Sequence, residues 1–321
     1  RRRSWRIGIT LFWILLLGLL VNGIAYATGG VLKPGLLIGT VVIAGLLLWL
    51  LSRNYWKKDL QTVAGSYWGW VSVFFWSIFT HPLLDSCTPY GTQLFQPFSN
   101  YRVALNNVAV VDPAYTLPFL LLLLIALFLA RGSRWRAILN WAGIGVSTAY
   151  LALTFYHKHQ VDQVFESCLE RDHIHYERYM TAPTILNNIL WQGVAEGDTA
   201  YYYGNYSLFD PAPTIPKFEV LPKRHTLISD HWEDRDVRIL RWFSNGYFNI
   251  LEREDGSLQF NDLRYGAFNG RFEKPTDFIS RFELHSEEGK LIAHASREAP
   301  DVSKATFQAF YNRIMGIRPG Y

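Results

Sequence analysis

The pattern of apolar positions divides the chain into two unlike halves. In the first half, apolar runs follow one another at about 7–28, 33–52, 63–81, 114–130 and 136–156. Each is close to the roughly 20 helical residues that cross a bilayer. Leu117–Leu129 is almost wholly Leu, Ile, Phe and Ala, whereas the run at 63–81 is rich in aromatics (Trp68, Trp70, Phe74, Phe75, Trp76) and ends in polar residues. Trp and Tyr gather towards the ends of the runs, as they do at membrane boundaries. The pattern predicts a membrane all-α region of about five transmembrane helices over residues 1–156.

Beyond residue 156 the pattern changes. Val161, Val164, Phe165, Cys168 and Leu169 keep a helical period, so residues 157–182 read as a helical linker. Residues 183–321 read as a soluble α+β domain. A short helix is expected at 184–193, strands at 199–208 and 217–221, and a helix from about Asp230 to Phe243 that Asn245-Gly246 stops. Hairpins are expected to turn at Glu254-Asp255-Gly256 and Glu287-Glu288-Gly289, and a helix at 303–315 closes the chain. Sequential strands joined by tight turns predict a mostly antiparallel sheet with helices on one face. Tyr201, Tyr202, Tyr203 and Tyr206 are expected to fill sheet and core; lining a ligand groove is the other use open to them.

Charge adds an orientation. The 321 residues carry a net charge of +4, and the mean hydropathy of +0.04 averages the two halves. Basic residues cluster at the ends of the apolar runs: Arg1, Arg2, Arg3 and Arg6; Arg53, Lys57 and Lys58; Arg131, Arg134 and Arg136. The opposite short loops carry only Lys33 and Arg102. With the clusters on the cytoplasmic side, the loop 82–113 and everything after residue 157 fall on the outer face, which in a bacterium is periplasmic. Basic residues placed at span ends, not across a folded face, point away from nucleic acid. The chain opens on Arg1-Arg2-Arg3 with no initiator Met and no cleavage pattern, so further residues are expected upstream. Two cysteines exclude a disulfide-rich scaffold and a zinc ribbon. Cys87 and Cys168 are expected as free buried thiols, with a disulfide between them as the alternative on an oxidising face.

The chemistry concentrates in Thr80-His81-Pro82-Leu83-Leu84-Asp85-Ser86-Cys87-Thr88-Pro89-Tyr90-Gly91. His81 and Asp85 are four apart and share a helix face. Imidazole and carboxylate together suit zinc, manganese or iron, although two ligands fall short of the usual three or four. The plainer reading is an interfacial His beside a capping Asp. Pro82 predicts a kink or restart. Asp112-Pro113 reads as an N-cap followed by Pro at the first helical position. Capping suffices to explain Asp112, yet it shares the membrane face of His81 and Asp85 and is a candidate for the same site. His157 and His159 are two apart on a helix and point to different sides, so they read as solvated; His173 and His175 read the same way. No Ser-His-Asp order, P-loop or dinucleotide fingerprint occurs, and there are no repeats.

The run HPLLDSCTPYGTQLFQPFS, followed by VVDPAYTLPFLLLLL, resembles the YdjM-like family of inner-membrane metal-dependent hydrolases. The resemblance covers roughly residues 60–130 and extends through NNILW and YYYGNYSLFD. It implies a divalent metal ion, zinc or manganese, held by His81 and Asp85, with Thr88 and Gly91 in the site loop and Asp112 as a catalytic neighbour. The family's PDxD-like and HRGxTHS-like elements are not in this chain, and they normally precede the HxxxD element. A distant similarity to zinc-dependent phospholipase C and P1-type nucleases implies a phosphoester substrate, a small molecule or a membrane lipid. The contrasting expectation is a non-enzymatic anchor displaying a binding or sensing domain. Transport is a weaker third, since the runs carry few internal charges and no matched pair of broken helices marks a midplane site.

Overall fold

The computed structural model describes Gly45, Trp49 and residues 65–130, 132–267, 270–296 and 303–318. The chain forms two compact units, Arg1–Phe74 and Phe75–Tyr321. The second holds everything discussed below except the first turns of one helix.

Three helices come first: α1 (Tyr67–Asp85), α2 (Pro113–Phe128) and α3 (Arg134–Arg171). The expectation of about five transmembrane helices does not stand. Among the described residues one helix, α3, is long and apolar enough to cross a membrane. The 16 residues of α2 rise about 24 Å, short of the roughly 30 Å hydrocarbon core. The Asp112 cap fixes its start, and Leu129 leaves helical geometry at its end. Its 19 residues would let α1 span, but its Trp, Tyr, Ser, Thr and His side chains lower its hydropathy. The runs at 7–28 and 33–52 lie outside the described residues. Pro82 does not end α1, which continues across it to Asp85.

The C-terminal part of α3 belongs to the soluble fold. Its 38 residues extend for about 57 Å as one helix. Leu153, Phe155 and Tyr156 are exposed, whereas Val161, Phe165, Cys168 and Leu169 are buried against a sheet. That sheet is an antiparallel meander of β1 (Arg178–Pro183), β2 (Leu190–Glu196), β3 (Ala200–Ser207) and β4 (Glu219–Pro222). A second antiparallel meander contains β5 (Phe248–Glu252), β6 (Leu258–Asp262), β7 (Arg281–Glu287) and β8 (Lys290–Ala295). Two further helices follow the strands' pattern: α4 (Arg235–Phe243) lies before β5, and α5 (Lys304–Ile314) closes the fold.

Strand alternation explains the layering. Trp191, Ala195 and Tyr206 face α3, while Val194, Tyr201 and Tyr203 face the second sheet and meet Tyr247, Leu263 and Phe278. Phe248, Ile250, Phe260 and Leu284 turn to the far side, against Val237 and Leu240 of α4. The order of layers is therefore helix, sheet, sheet, helix, and the tyrosines of β3 fill both faces of their strand. Gly193 makes the first contact possible, because a Cβ there would lie 2.1 Å from the Phe165 ring.

The antiparallel character of the soluble part agrees with the sequence reading, but residues 184–193 do not form a helix. They form a turn and the start of β2. Leu186 takes a positive φ of 64°, and the Asn187 side chain accepts from the N–H groups of Ile189 and Leu190. An Asn that bonds backbone two residues on favours a turn over a helix.

Candidate functional site

The site is built at the end of α1. His81 and Asp85 come together there, with Nε2 and Oδ2 3.4 Å apart and the side chains 76% and 51% exposed. A tetrahedral centre with bonds of about 2.1 Å has a ligand–ligand edge of about 3.4 Å. The pair therefore fits two positions of such a centre, and the same distance also describes a loose ion pair. Among the described residues no group of three or more His, Cys, Asp or Glu side chains is placed to hold an ion.

The loop after Asp85 is tightly specified. Thr88 Oγ1 donates to the Asp85 carbonyl at 2.8 Å and accepts from the Gly91 N–H at 3.4 Å. Gly91 has φ +71°, and a Cβ there would lie 2.7 Å from the Val103 carbonyl oxygen. Thr92 and Val103 exchange both backbone hydrogen bonds at 2.9 Å. Thus Thr88 and Gly91 shape the chain behind the His–Asp pair without entering it. Cys87 is buried beside them, and burial pushes its thiol pKa up. Both cysteines are free and buried, so the disulfide alternative is not formed.

Asp112 has a different place. It is buried, its Oδ1 accepts from the N–H groups of Ala114 and Tyr115, and its Oδ2 accepts from the Tyr150 hydroxyl at 2.9 Å. Among the described residues no hydrogen bond or ion pair joins it to His81 or Asp85. Its carboxylate is committed to starting α2 and tying it to α3.

Several residues that hold the loop carry no motif in the sequence. Asn107 Nδ2 donates to Thr154 Oγ1 at 2.8 Å, and Asn188 Nδ2 donates to the Asn107 carbonyl at 2.8 Å. His157 Nδ1 lies 2.8 Å from Asn188 Oδ1. His157 is thus a structural link from α3 to the β1–β2 turn, and His159 is exposed. On the other side Arg264, only 3% exposed, pairs with buried Asp262 at 2.6 and 2.9 Å and donates to the Pro89 carbonyl at 3.0 Å. Burial opposes the guanidinium charge, but the Asp262 carboxylate holds the Arg264 pKa above its ordinary value. Arg102 lies over the rings of Trp242, Phe243 and Tyr90, 4.9, 5.2 and 5.6 Å from their centroids, and donates to the Phe243 carbonyl. The soluble domain therefore grips the loop from two sides. Aromatic faces and a paired carboxylate are ordinary partners for arginine, but their separations in the chain leave no local sequence signal.

A cavity of about 550 Å³ opens elsewhere, lined among others by Phe218, Phe272, Arg313 and Arg318. None of His81, Asp85, Thr88, Gly91 and Asp112 lines it.

Residues 10–161 match the family model of the YdjM inner membrane protein. No curated protein and no solved structure matches the chain. The match takes in the His81–Asp85 pair, the loop behind it, α2 and α3 as far as Val161, and the two sheets lie outside it. What the comparisons show is therefore a similarity, over residues 10–161, to the YdjM family of inner membrane proteins.

Proposed function

We propose that this inner-membrane protein is a metal-dependent hydrolase acting on a phosphoester, lipid-like substrate, with His81 and Asp85 as two ligands of a zinc or manganese ion. The observation that carries this reading is the exposed Nε2–Oδ2 pair at 3.4 Å on one turn of α1. It has the donor chemistry and the edge length of a tetrahedral centre. A divalent cation, when bound, supplies Lewis acidity to a water and to the scissile group. The chain's own contribution is positional: Thr88 and Gly91 fix the backbone behind Asp85, and Arg264 holds Pro89. Asp112 contributes by fixing the start of α2 against α3. Arg131 before α3, with Arg134 and Arg136 in its first turn, supports a cytoplasmic start for α3 and an outer-face location for the sheets.

A second reading is a membrane anchor that displays a binding or sensing domain. It is favoured by the continuous α3, which carries the sheets rigidly, and by a donor set of two. One experiment separates the readings. The full-length protein is purified in detergent, and its transition-metal content is measured for wild type, His81→Ala and Asp85→Ala. The hydrolase reading expects a stoichiometric metal that both substitutions remove. A metal-free wild type, or one whose metal survives both substitutions, refutes His81–Asp85 as the centre.

A further inference from the structure

We infer that the tip of the loop between α1 and α2, residues 93–101, is a wedge that inserts into the lipid–water boundary of the membrane. The bilayer itself is the partner. The inference is independent of the hydrolase reading.

The tip presents aromatic side chains that stand exposed among the described residues. Phe98 is 94% exposed, and Phe95 and Tyr101 are exposed as well. Exposed Trp242 of α4 and Tyr90 flank Arg102 at the base of the tip. The tip is not loose chain. Phe98 and Ser99 donate to the Phe95 carbonyl at 2.8 and 3.1 Å, and Gln96 Nε2 donates to Asn100 Oδ1 at 2.8 Å. At its base stand the Thr92–Val103 bridge, the stacked Arg102, and Trp242 Nε1 donating to the Asn100 carbonyl at 3.3 Å. The rings are thus held outward by a built turn, where a soluble surface would carry polar residues.

Charge and position select lipid as the occupant. Between Ser86 and Val111 the only charged residue is Arg102, and its guanidinium is already engaged by aromatic faces and the Phe243 carbonyl. Within the loop, residues 86–111, no carboxylate or ammonium opposes entry into an apolar phase. The loop's far end is pinned along α3 at Tyr150 by Asp112 and at Thr154 by Asn107. There α3 passes from exposed Leu153, Phe155 and Tyr156 to Lys158, Gln160 and Asp162. This change from exposed apolar to polar residues is the one expected at a membrane boundary, where aromatic side chains concentrate. Exposed Leu105, Val110 and Val111 continue the apolar surface from the loop to the start of α2.

The test uses the full chain in vesicles of phosphatidylethanolamine and phosphatidylglycerol. Phe98→Cys carries a nitroxide label, and its relaxation by oxygen, which enters lipid, is compared with relaxation by a nickel chelate confined to water. Glu254→Cys, in the exposed β5–β6 turn, is the aqueous reference. Cys87 and Cys168 are buried, and label on the unsubstituted parent is the blank. Insertion gives an oxygen-to-nickel ratio several-fold higher at position 98 than at 254, and Phe95→Cys repeats it. A ratio equal to that at 254 overturns the wedge. Protection from both reagents also overturns it, because a protein surface would then cover the tip. Both phenylalanines are exposed, so neither substitution removes a core contact.

Discussion

Replacing Arg264 with Met tests how strongly the soluble domain grips the site loop. In the wild type Arg264 satisfies both oxygens of Asp262 and the carbonyl of Pro89, all with little access to water. The substitution keeps most of the volume and removes every donor. It leaves a carboxylate buried without its counter-ion, which costs about 3–5 kcal/mol when a buried pair is broken from one side. For a domain of this size each kcal/mol moves the melting temperature by about 2–4 °C, so a loss on the order of 10 °C is expected. The double variant Arg264→Met/Asp262→Leu removes the charge as well and should recover most of that loss.

Proton linkage gives a second signature. Burial already raises the Asp262 carboxyl above its ordinary value in the wild type, against the pull of Arg264, and loss of that partner raises it further. A raised carboxyl binds more protons folded than unfolded, so the variant's stability falls as pH rises from the unfolded value of about 3.9 through the folded one. The melting temperature of Arg264→Met should therefore climb towards wild type on going from about pH 8 to about pH 5. Thermal unfolding in detergent measures both effects, and hydrogen exchange over residues 86–104 reports the freed Pro89 segment. If the double variant is no more stable than Arg264→Met, and the deficit does not shrink in acid, the buried-charge argument fails.

Other perturbations reach different parts of the fold. Gly193→Ala should push the Phe165 ring off β2, since the new methyl would lie 2.1–2.6 Å from three ring carbons; a loss of about 1–3 kcal/mol is expected. Combining it with Phe165→Leu should lose less than the two single effects summed, and strict additivity in thermal unfolding would refute the contact. Gly91→Ala should destabilise the site loop through both its positive φ and the Val103 carbonyl, and faster exchange at Thr92 and Val103 would register it. His225 is half-buried and stacked on Phe248 at 4.1 Å; burial holds its pKa below the ordinary 6.5. Such a group contributes stability that is complete above about pH 6.5 and is lost as pH falls through its folded pKa. His225→Gln should flatten the melting profile between about pH 7 and pH 5, and an unchanged slope would refute the assignment.

What the sequence could show depended on how far apart the cooperating residues lie. The turns were legible because one or two neighbours decide them. Asn245 and Gly246 take φ of 53° and 77°, and Glu288 and Gly289 take 49° and 77°, so each pair ends its element where its residue types predict. The approach of His81 to Asp85 on one helix face was legible for the same reason, one helical turn separating them. The span count was overread because apolar composition says nothing about where a cap cuts a helix, and Asp112 with Leu129 leaves α2 at 16 residues. The supposed helix at 184–193 failed because Asn187 and the positive φ at Leu186 outweigh its apolar residues.

The clamp was not legible at all. Pro89 meets Arg264, Arg102 meets Phe243, and Asn107 meets Thr154 and Asn188. Each partner sits on a different element, and only the packed layers bring them together. The family match ends at Val161, yet residues beyond it hold the loop behind the His–Asp pair. A substitution at Arg264 should therefore disturb the YdjM-type segment although Arg264 lies outside it. The domain that carries no recognisable motif of its own is then part of the site's structural support as well as an appendage to it.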